Sequence, residues 1–261
     1  MESITRQAVV RKPARESAFV AGFAETAEDM EDIFRLRYEV FNSAFSGNLA
    51  GMQNRDEPDL DNDHYDAHCK HLLVRDARTG EAIATTRLLT DEAAGMVGHF
   101  YSQSEFFLPG LTSLSGKVLE LGRTCIKENY RDGAAIFTLW QTLARYLADN
   151  RFRFLIGCAS ISMDDGGIQT EAIMKDIRQK YLDTSQINAK PKTPVPSIQL
   201  PENVVARVPA LLKTYLRLGA RVCGEPCWDK EFGCADVFIL LDMHNLCPRY
   251  ARRFHLENWK P

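Results

Sequence analysis

The chain has 261 residues with 32 basic and 35 acidic side chains, a formal net charge of −3, so no overall basic character marks it for nucleic acid. Hydrophobic residues make up 45% of it and no stretch approaches 18 consecutive apolar positions, which fits a soluble globular protein and excludes a membrane-spanning helix. The N-terminus lacks the apolar segment of a secretory signal, and seven cysteines without a C-x-x-C pair fit reduced thiols in a cytoplasmic protein.

Basic residues gather at both ends: Arg6, Arg11, Lys12 and Arg15 in a tail of residues 1–22, then Arg249, Arg252, Arg253 and Lys260. Each group is either a solvated terminus or an attraction to an acidic partner or an anionic membrane surface, aided at the C-terminus by Tyr250, Phe254 and Trp259. The first clear element is a helix over residues 26–41, where Thr26 and Asp29 approximate a capping box. Met30, Ile33, Phe34, Tyr38 and Phe41 make its apolar face, and Arg37 falls on that same face. A guanidinium there needs a carboxylate or a ligand, unless it snorkels to the edge of the core.

Residues 42–70 read as an exposed acidic loop. Asp59, Asp61 and Asp63 resemble the start of a calcium loop, but His64 and Lys70 occupy the positions where Gly and Glu are needed. His64, His68 and His71 would gather a metal only if the segment were helical. Residues 71–75 and 82–88 form a hairpin around Thr79-Gly80, and Lys117–Ile126 is a further strand. Asp132 and Gly133 introduce a helix with an apolar stripe from Ile136 to Leu147, and residues 152–161 form a buried strand. Strand, helix, strand in that order implies a crossover with the two strands parallel. Residues 162–203 read as an inserted helix and a proline-rich covering loop within a single domain spanning 1–261. A helix over 205–218 and short strands at 221–223 and 237–241 complete the chain. Cys223, Cys227, Cys234 and Cys247 match no common zinc spacing, so no metal is expected.

This order resembles the GNAT acyltransferase fold, an α/β architecture whose mixed central sheet has two splayed parallel strands. LRYEVF (36–41), DNDHYD (61–66), TTRLL (85–89) and LELGRTCI (119–126) are similar to the branch holding autoinducer synthases and long-chain N-acyl amino acid synthases. HLLV, LIGCASI, LLKTYLRLGARVCGEP, WDKEFGCADVFILL and RYARRF extend the resemblance to ornithine N-acyltransferases. That family joins a 3-hydroxyacyl group, carried on acyl carrier protein, to the α-amine of ornithine, the first step toward ornithine lipid. The resemblance covers about residues 33–161 and 205–254. It implies Glu120 as general base with Arg123 beside it, and Arg37, Phe41, Asp63, Asp66 and Arg87 around the acceptor. It implies no cofactor beyond the carrier's phosphopantetheine thioester, held by Leu121, Gly122, Arg131, Gly133 and Ala134.

Acyl transfer to an amine needs a free lone pair, a polarised carbonyl and close approach of the two. An α-amine loses its proton more easily than a side-chain amine, which favours α-acylation. Glu120 either takes that proton or merely pairs with Arg123 or Arg37. In a regular strand Glu120 and Arg123 face opposite ways, so a β-bulge is expected at 121–123, with a backbone N–H freed for the thioester oxygen. The turn YRDGAA (130–135) lacks the basic or amide residue of coenzyme-A-binding turns, which suits a carrier protein with one phosphodiester. Basic surface near Arg131 and at the C-terminus would steer that acidic partner. Two alternatives stand beside this reading. One is a related synthase with another amine; the other is a non-catalytic acyl-binding module, which the presence of Glu120 disfavours.

Overall fold

The computed structural model describes residues 18–44 and 59–257. Strands are β1 (Phe19–Phe23), β2 (Lys70–Asp76), β3 (Ala82–Thr90), β4 (Phe106–Phe107), β5 (Lys117–Ile126), β6 (Phe152–Ser162), β7 (Lys190–Pro191), β8 (Arg221–Val222), β9 (Cys227–Asp229) and β10 (Cys234–Asp242). Helices are α1 (Ala27–Ala44), α2 (Asp91–Val97), α3 (Ser102–Glu105), α4 (Ala134–Asn150), α5 (Ile168–Lys180), α6 (Ala210–Leu218) and α7 (Pro248–Arg253). The main sheet runs β1-β2-β3-β5-β6-β10-β8, with β9 also on β10, and β4 pairs with β7 separately.

Among the described strands of the main sheet, β5 and β6 form the one parallel pair, as the crossover through α4 requires, and a single parallel bridge joins Leu182 to Val222 of β8. The β5–β6 register runs from Lys117↔Phe152 to Leu121↔Gly157 and ends there. Beyond it β5 follows β3 while β6 follows β10 out to Ser162, so the two strands part. Gly157 sits at the point of parting, where a Cβ would lie 2.5 Å from the Leu121 carbonyl oxygen. That carbonyl leaves room for glycine and nothing larger.

Alternation along the strands separates two cores. Leu119, Leu155, Val237 and Ile239 join the stripe of α4 (Leu139, Trp140, Leu143, Leu147) on one face. Val118, Phe154, Ile156, Phe238 and Leu240 pack with Phe100 and Phe106 on the other. The Thr26–Asp29 capping box forms in both directions, at 3.1 and 3.2 Å, and starts α1 where expected.

Several expectations need correction. The N-terminal tail ends earlier than residue 22, because Phe19–Phe23 pairs antiparallel with β2 as an edge strand. Its basic residues, like Trp259 and Lys260, lie outside the described residues. The helix over 205–218 begins only at Ala210: Pro209 at its N-cap is extended, at ψ 143°, and lacks an N–H to continue the helix backwards. The 162–203 segment is less of an insertion than expected, since Ile173, Met174 and Ile177 of α5 are fully buried in the α4-side core. Phe254 turns inward and stacks on Phe137 of α4 at 6.0 Å instead of facing outward with Tyr250.

Candidate active site

Residues 45–58 of the acidic stretch lie outside the described residues, while residues 59–69, before β2, are no exposed loop. Arg37, buried on α1, draws them in: Arg37 Nε donates to Asp61 at 2.8 Å and Nη1 to Asp66 at 2.8 Å. Arg87 on β3 donates to Asp63 at 2.6 Å and to Asp66 at 3.1 Å. Arg123 on β5 closes the circuit, 3.4 Å from Asp61 and 3.3 Å from Asp63. Three arginines and three aspartates thus alternate around a charge-balanced ring, every member paired twice. Burial alone raises the Asp63 and Asp66 carboxyls, but Arg87 outweighs it at Asp63, and Arg37 with Arg87 at Asp66, so both titrate below the ordinary range. His64 and His68 stay exposed, and His71 turns inward to Asp66. The helix that would have gathered the three does not form; the segment holds only a single 3-10 turn at Asp66–His68.

A cleft opens where β5 and β6 part, lined by Phe41, Arg87, Tyr101, Arg123, Cys158, Tyr215, Asp229, Phe232 and Asp236 among others. Of the expected acceptor residues, Phe41 and Arg87 reach it, as does Arg123 of the expected catalytic pair. Arg37, Asp63 and Asp66 stand behind it as the ring that fixes those two guanidinium groups. Arg87 Nη2 is buried and has no acceptor among the described residues. The ring compensates its charge, so what Nη2 offers is an unused N–H donor, which a ligand oxygen such as a carboxylate can accept from.

The bulge exists one residue further along than expected. Thr85 pairs with Cys125 and Arg87 with Gly122, so β5 spends two residues, Arg123 and Thr124, against Thr86 alone. Arg123 takes the left-handed φ of 49°. Thr86 Oγ1 pins the bulge, 2.7 Å from Thr124 Oγ1. Gly122 is the open residue beside it: a Cβ there would press on Arg87 Nε at 3.3 Å. The parity shift works as anticipated, because Glu120 and Arg123 both end beside one residue, Tyr101.

Glu120 nonetheless does not line the cleft. Its carboxylate, 2% exposed, accepts from the Tyr101 N–H and the Ser102 N–H, each at 2.7 Å, and from the Ser102 hydroxyl. Burial raises its affinity for protons, and those three donors partly offset the effect. The visible consequence is positional: Glu120 fastens the start of α3. The Tyr101 ring then lies 5.6 Å beneath Arg87 and 5.5 Å beneath Arg123.

The carboxylates that line the cleft are Asp229 and Asp236, and Glu105 stands behind Asp236. Asp236 (β10) is 4% exposed, and the Glu105 and Asp236 carboxylates and the Cys158 thiol lie within 4.8 Å of one another. Sequence reading missed both acids. Asp236 sits in an apolar strand, FGCADVFILL, where a lone acid at a fully buried position is the available signal. Glu105 had no such mark. Tyr215, within YLRLGA, faces the cleft from α6, and burial raises its hydroxyl to about 12.

At the expected phosphate turn the structure is less open than anticipated. The Ala134 N–H already bonds the Asp132 carboxylate at 2.9 Å, and Arg131 Nε bonds the Ile126 carbonyl at 3.0 Å. Gly133, with φ 103°, caps α4. Arg253 of α7 joins the adjoining groove, its guanidinium 3.9 Å over the Phe137 ring.

Residues 36–141 match the model of a family described as an acetyltransferase (GNAT) domain. An L-ornithine N(alpha)-acyltransferase of Rhizobium meliloti is 30% identical over 248 residues, 88% of this chain and 82% of that protein. One of Rhodobacter capsulatus is 29% identical over 246 residues, 89% and 92% of the two chains. Among solved structures, a CoA-dependent acyl-homoserine lactone synthase, BjaI, bound to MTA, superposes with a TM-score of 0.51 at 13% identity. The match covers 89% of this chain and 85% of that one, and shows a shared fold.

Proposed function

Since this chain belongs to the L-ornithine N(alpha)-acyltransferase family, we propose that it transfers a long-chain, 3-hydroxylated fatty acyl group from acyl carrier protein to the α-amine of ornithine. The observation that carries this reading is the cleft's division of charge: Arg87 and Arg123 on one wall, Asp229 and Asp236 on the other. Ornithine carries a carboxylate at one end and two amines. Its carboxylate fits Arg87 Nη2, which lacks an acceptor among the described residues, and its ammonium groups fit the acidic wall.

The thioester carbonyl would lie at the parting of β5 and β6, beside the bulge of Arg123 and Thr124, where a bulge N–H would serve as donor to the developing oxyanion. Leu121 and Gly122 would flank the pantetheine arm. Its phosphate would approach the α4 end, where Asp132 occupies one amide, so Arg131 and Arg253 are the better cationic partners than Ala134. A grip this light suits one phosphodiester, and the exposed arginines of α7 suit an acidic carrier. The product would be amphiphilic, consistent with release at the inner face of the cytoplasmic membrane. No helix among the described residues is long and apolar enough to cross one.

The test is an acylation assay with purified protein, acyl carrier protein charged with a long-chain acyl group, and a panel of amino acids, read by mass spectrometry. Transfer to ornithine above the other amines supports the reading; preference for a different amine moves it to a related synthase. Equal use of acyl-coenzyme A would remove the argument from the phosphate turn.

A further inference from the structure

We infer that Glu105 and Asp236, acting together and in place of Glu120, form the proton relay of the cleft. The inference rests on the acyl-transfer reading above. Its first ground is position. Asp236 lines the cleft and Glu120 does not, although both belong to the same sheet face. The second is availability. Glu120 has both oxygens occupied by the Tyr101 and Ser102 N–H groups, whereas the neighbours that Glu105 engages are Asp236 itself and the Tyr101 side chain, with no backbone donor holding its oxygens among the described residues. The third is proximity, since two carboxyl groups whose oxygens lie within 4.8 Å cannot both ionise cheaply.

The surroundings deepen that effect. Groups facing the pair are Tyr101 at the head of α3, Arg123 on β5, Cys158 and Ser160 on β6, Cys227 and Asp229 on β9, and Cys234 on β10. Burial, then mutual repulsion, raises Glu105; burial also raises Asp236, with Ser160 and Glu105 partly offsetting it. Arg123 is the nearby cation, and the aspartate ring already engages it. Two buried carboxyl groups this close favour one proton held between them, which leaves one oxygen as the basic site. Cys158 is no nucleophile here, because burial and both acids hold it as a thiol.

The proton count closes. An acceptor ammonium gives its first proton to the free carboxylate of the pair. The exposed lone pair attacks the thioester carbon, forming C–N while the carbonyl electrons move to oxygen. Collapse breaks C–S. The pair hands one proton to the departing thiolate sulfur as it takes the second from nitrogen, and the surplus proton leaves to solvent. One ammonium and one thioester thus yield one amide, one thiol and one proton.

The experiment compares wild type, Asp236→Asn, Glu105→Gln and Glu120→Gln in the carrier-protein acylation assay from pH 6 to 9, with ornithine and separately with hydroxylamine. Hydroxylamine is uncharged near neutrality and needs no proton removed before attack. Both relay variants should lose about a hundredfold in kcat with ornithine at pH 7 and about tenfold less with hydroxylamine, which bypasses the first of the two proton removals. Glu120→Gln should lower kcat while keeping the wild-type pH profile. Each relay variant replaces a buried acid with a neutral isostere, so folding, followed by circular dichroism, is expected to survive, and either variant alone decides the matter. A relay variant within about threefold of wild type with ornithine, or one that hydroxylamine does not rescue, overturns the relay. Wild-type protein that acylates no amine would instead overturn the acyl-transfer reading itself.

Discussion

Arg87 Nη1 donates to Asp63 at 2.6 Å and to Asp66 at 3.1 Å, while Nη2 of the same guanidinium stays buried without an acceptor among the described residues. One end of the side chain is thus fixed by the ring so that the other can meet a ligand. Arg87→Lys keeps the charge and loses the fork. Steady-state kinetics on this variant should show KM for ornithine raised by about tenfold or more, with a smaller change in kcat. A fall in kcat with KM unchanged would place Arg87 at the reacting centre instead.

The ring is also structural. Asp66 takes charge from both Arg37 and Arg87 and is 4% exposed in its side chain. Asp66→Ala would leave two buried guanidinium groups short of a partner, at a cost of about 3–5 kcal/mol. Urea denaturation should show it as a lowered midpoint at unchanged slope.

Acid and base act on different groups with opposite sign. The folded values of Asp63 and Asp66 lie below the ordinary 3.8, so the unfolded chain binds more protons and their stabilisation is lost as pH falls below about 4. Glu105 lies above its ordinary 4.5, so there the folded chain binds the extra proton and stability falls as pH rises beyond that value. Glu105→Gln should flatten the alkaline decline, which is at most about 1.4 kcal/mol per pH unit for one proton. Midpoints measured between pH 5 and 9 check this, and an unchanged slope in the variant would contradict it.

Gly157→Ala tests the parting of the strands. The added methyl must displace the Leu121 carbonyl, which is backbone and cannot rotate away. We expect a loss of about 1–3 kcal/mol, together with a fall in acyl transfer, because the same displacement moves the bulge. Wild-type activity in a destabilised variant would separate the two.

How much of this was legible in the chain followed from where the constraint is local. The bounds of β5 were readable outright, and the capping box, the α4 stripe and the parallel crossover come from spacing within a few residues. The bulge was foreseeable from the parity of Glu120 and Arg123, though not its placement at Arg123–Thr124, which depends on Thr86 of the neighbouring strand. Arg37 on an apolar face signalled an unseen carboxylate partner; that two aspartates, 24 and 29 residues along, would supply it is a tertiary fact. Glu105 and Asp236 stand 131 positions apart, 236 against 105, and neither sits in a motif. Only the fold brings their carboxylates together, Asp236 at the cleft and Glu105 behind it. The edge strand at Phe19–Phe23 was hidden by the basic residues preceding it.

The most direct measurement is the mass and acylation site of the product formed from an equimolar mixture of ornithine, lysine, glutamine and glycine with 3-hydroxyacyl carrier protein. The account predicts a single dominant product, ornithine carrying the acyl group on its α-nitrogen, with the δ-amine free. A δ-acylated ornithine, or a dominant product from another amino acid, would contradict it.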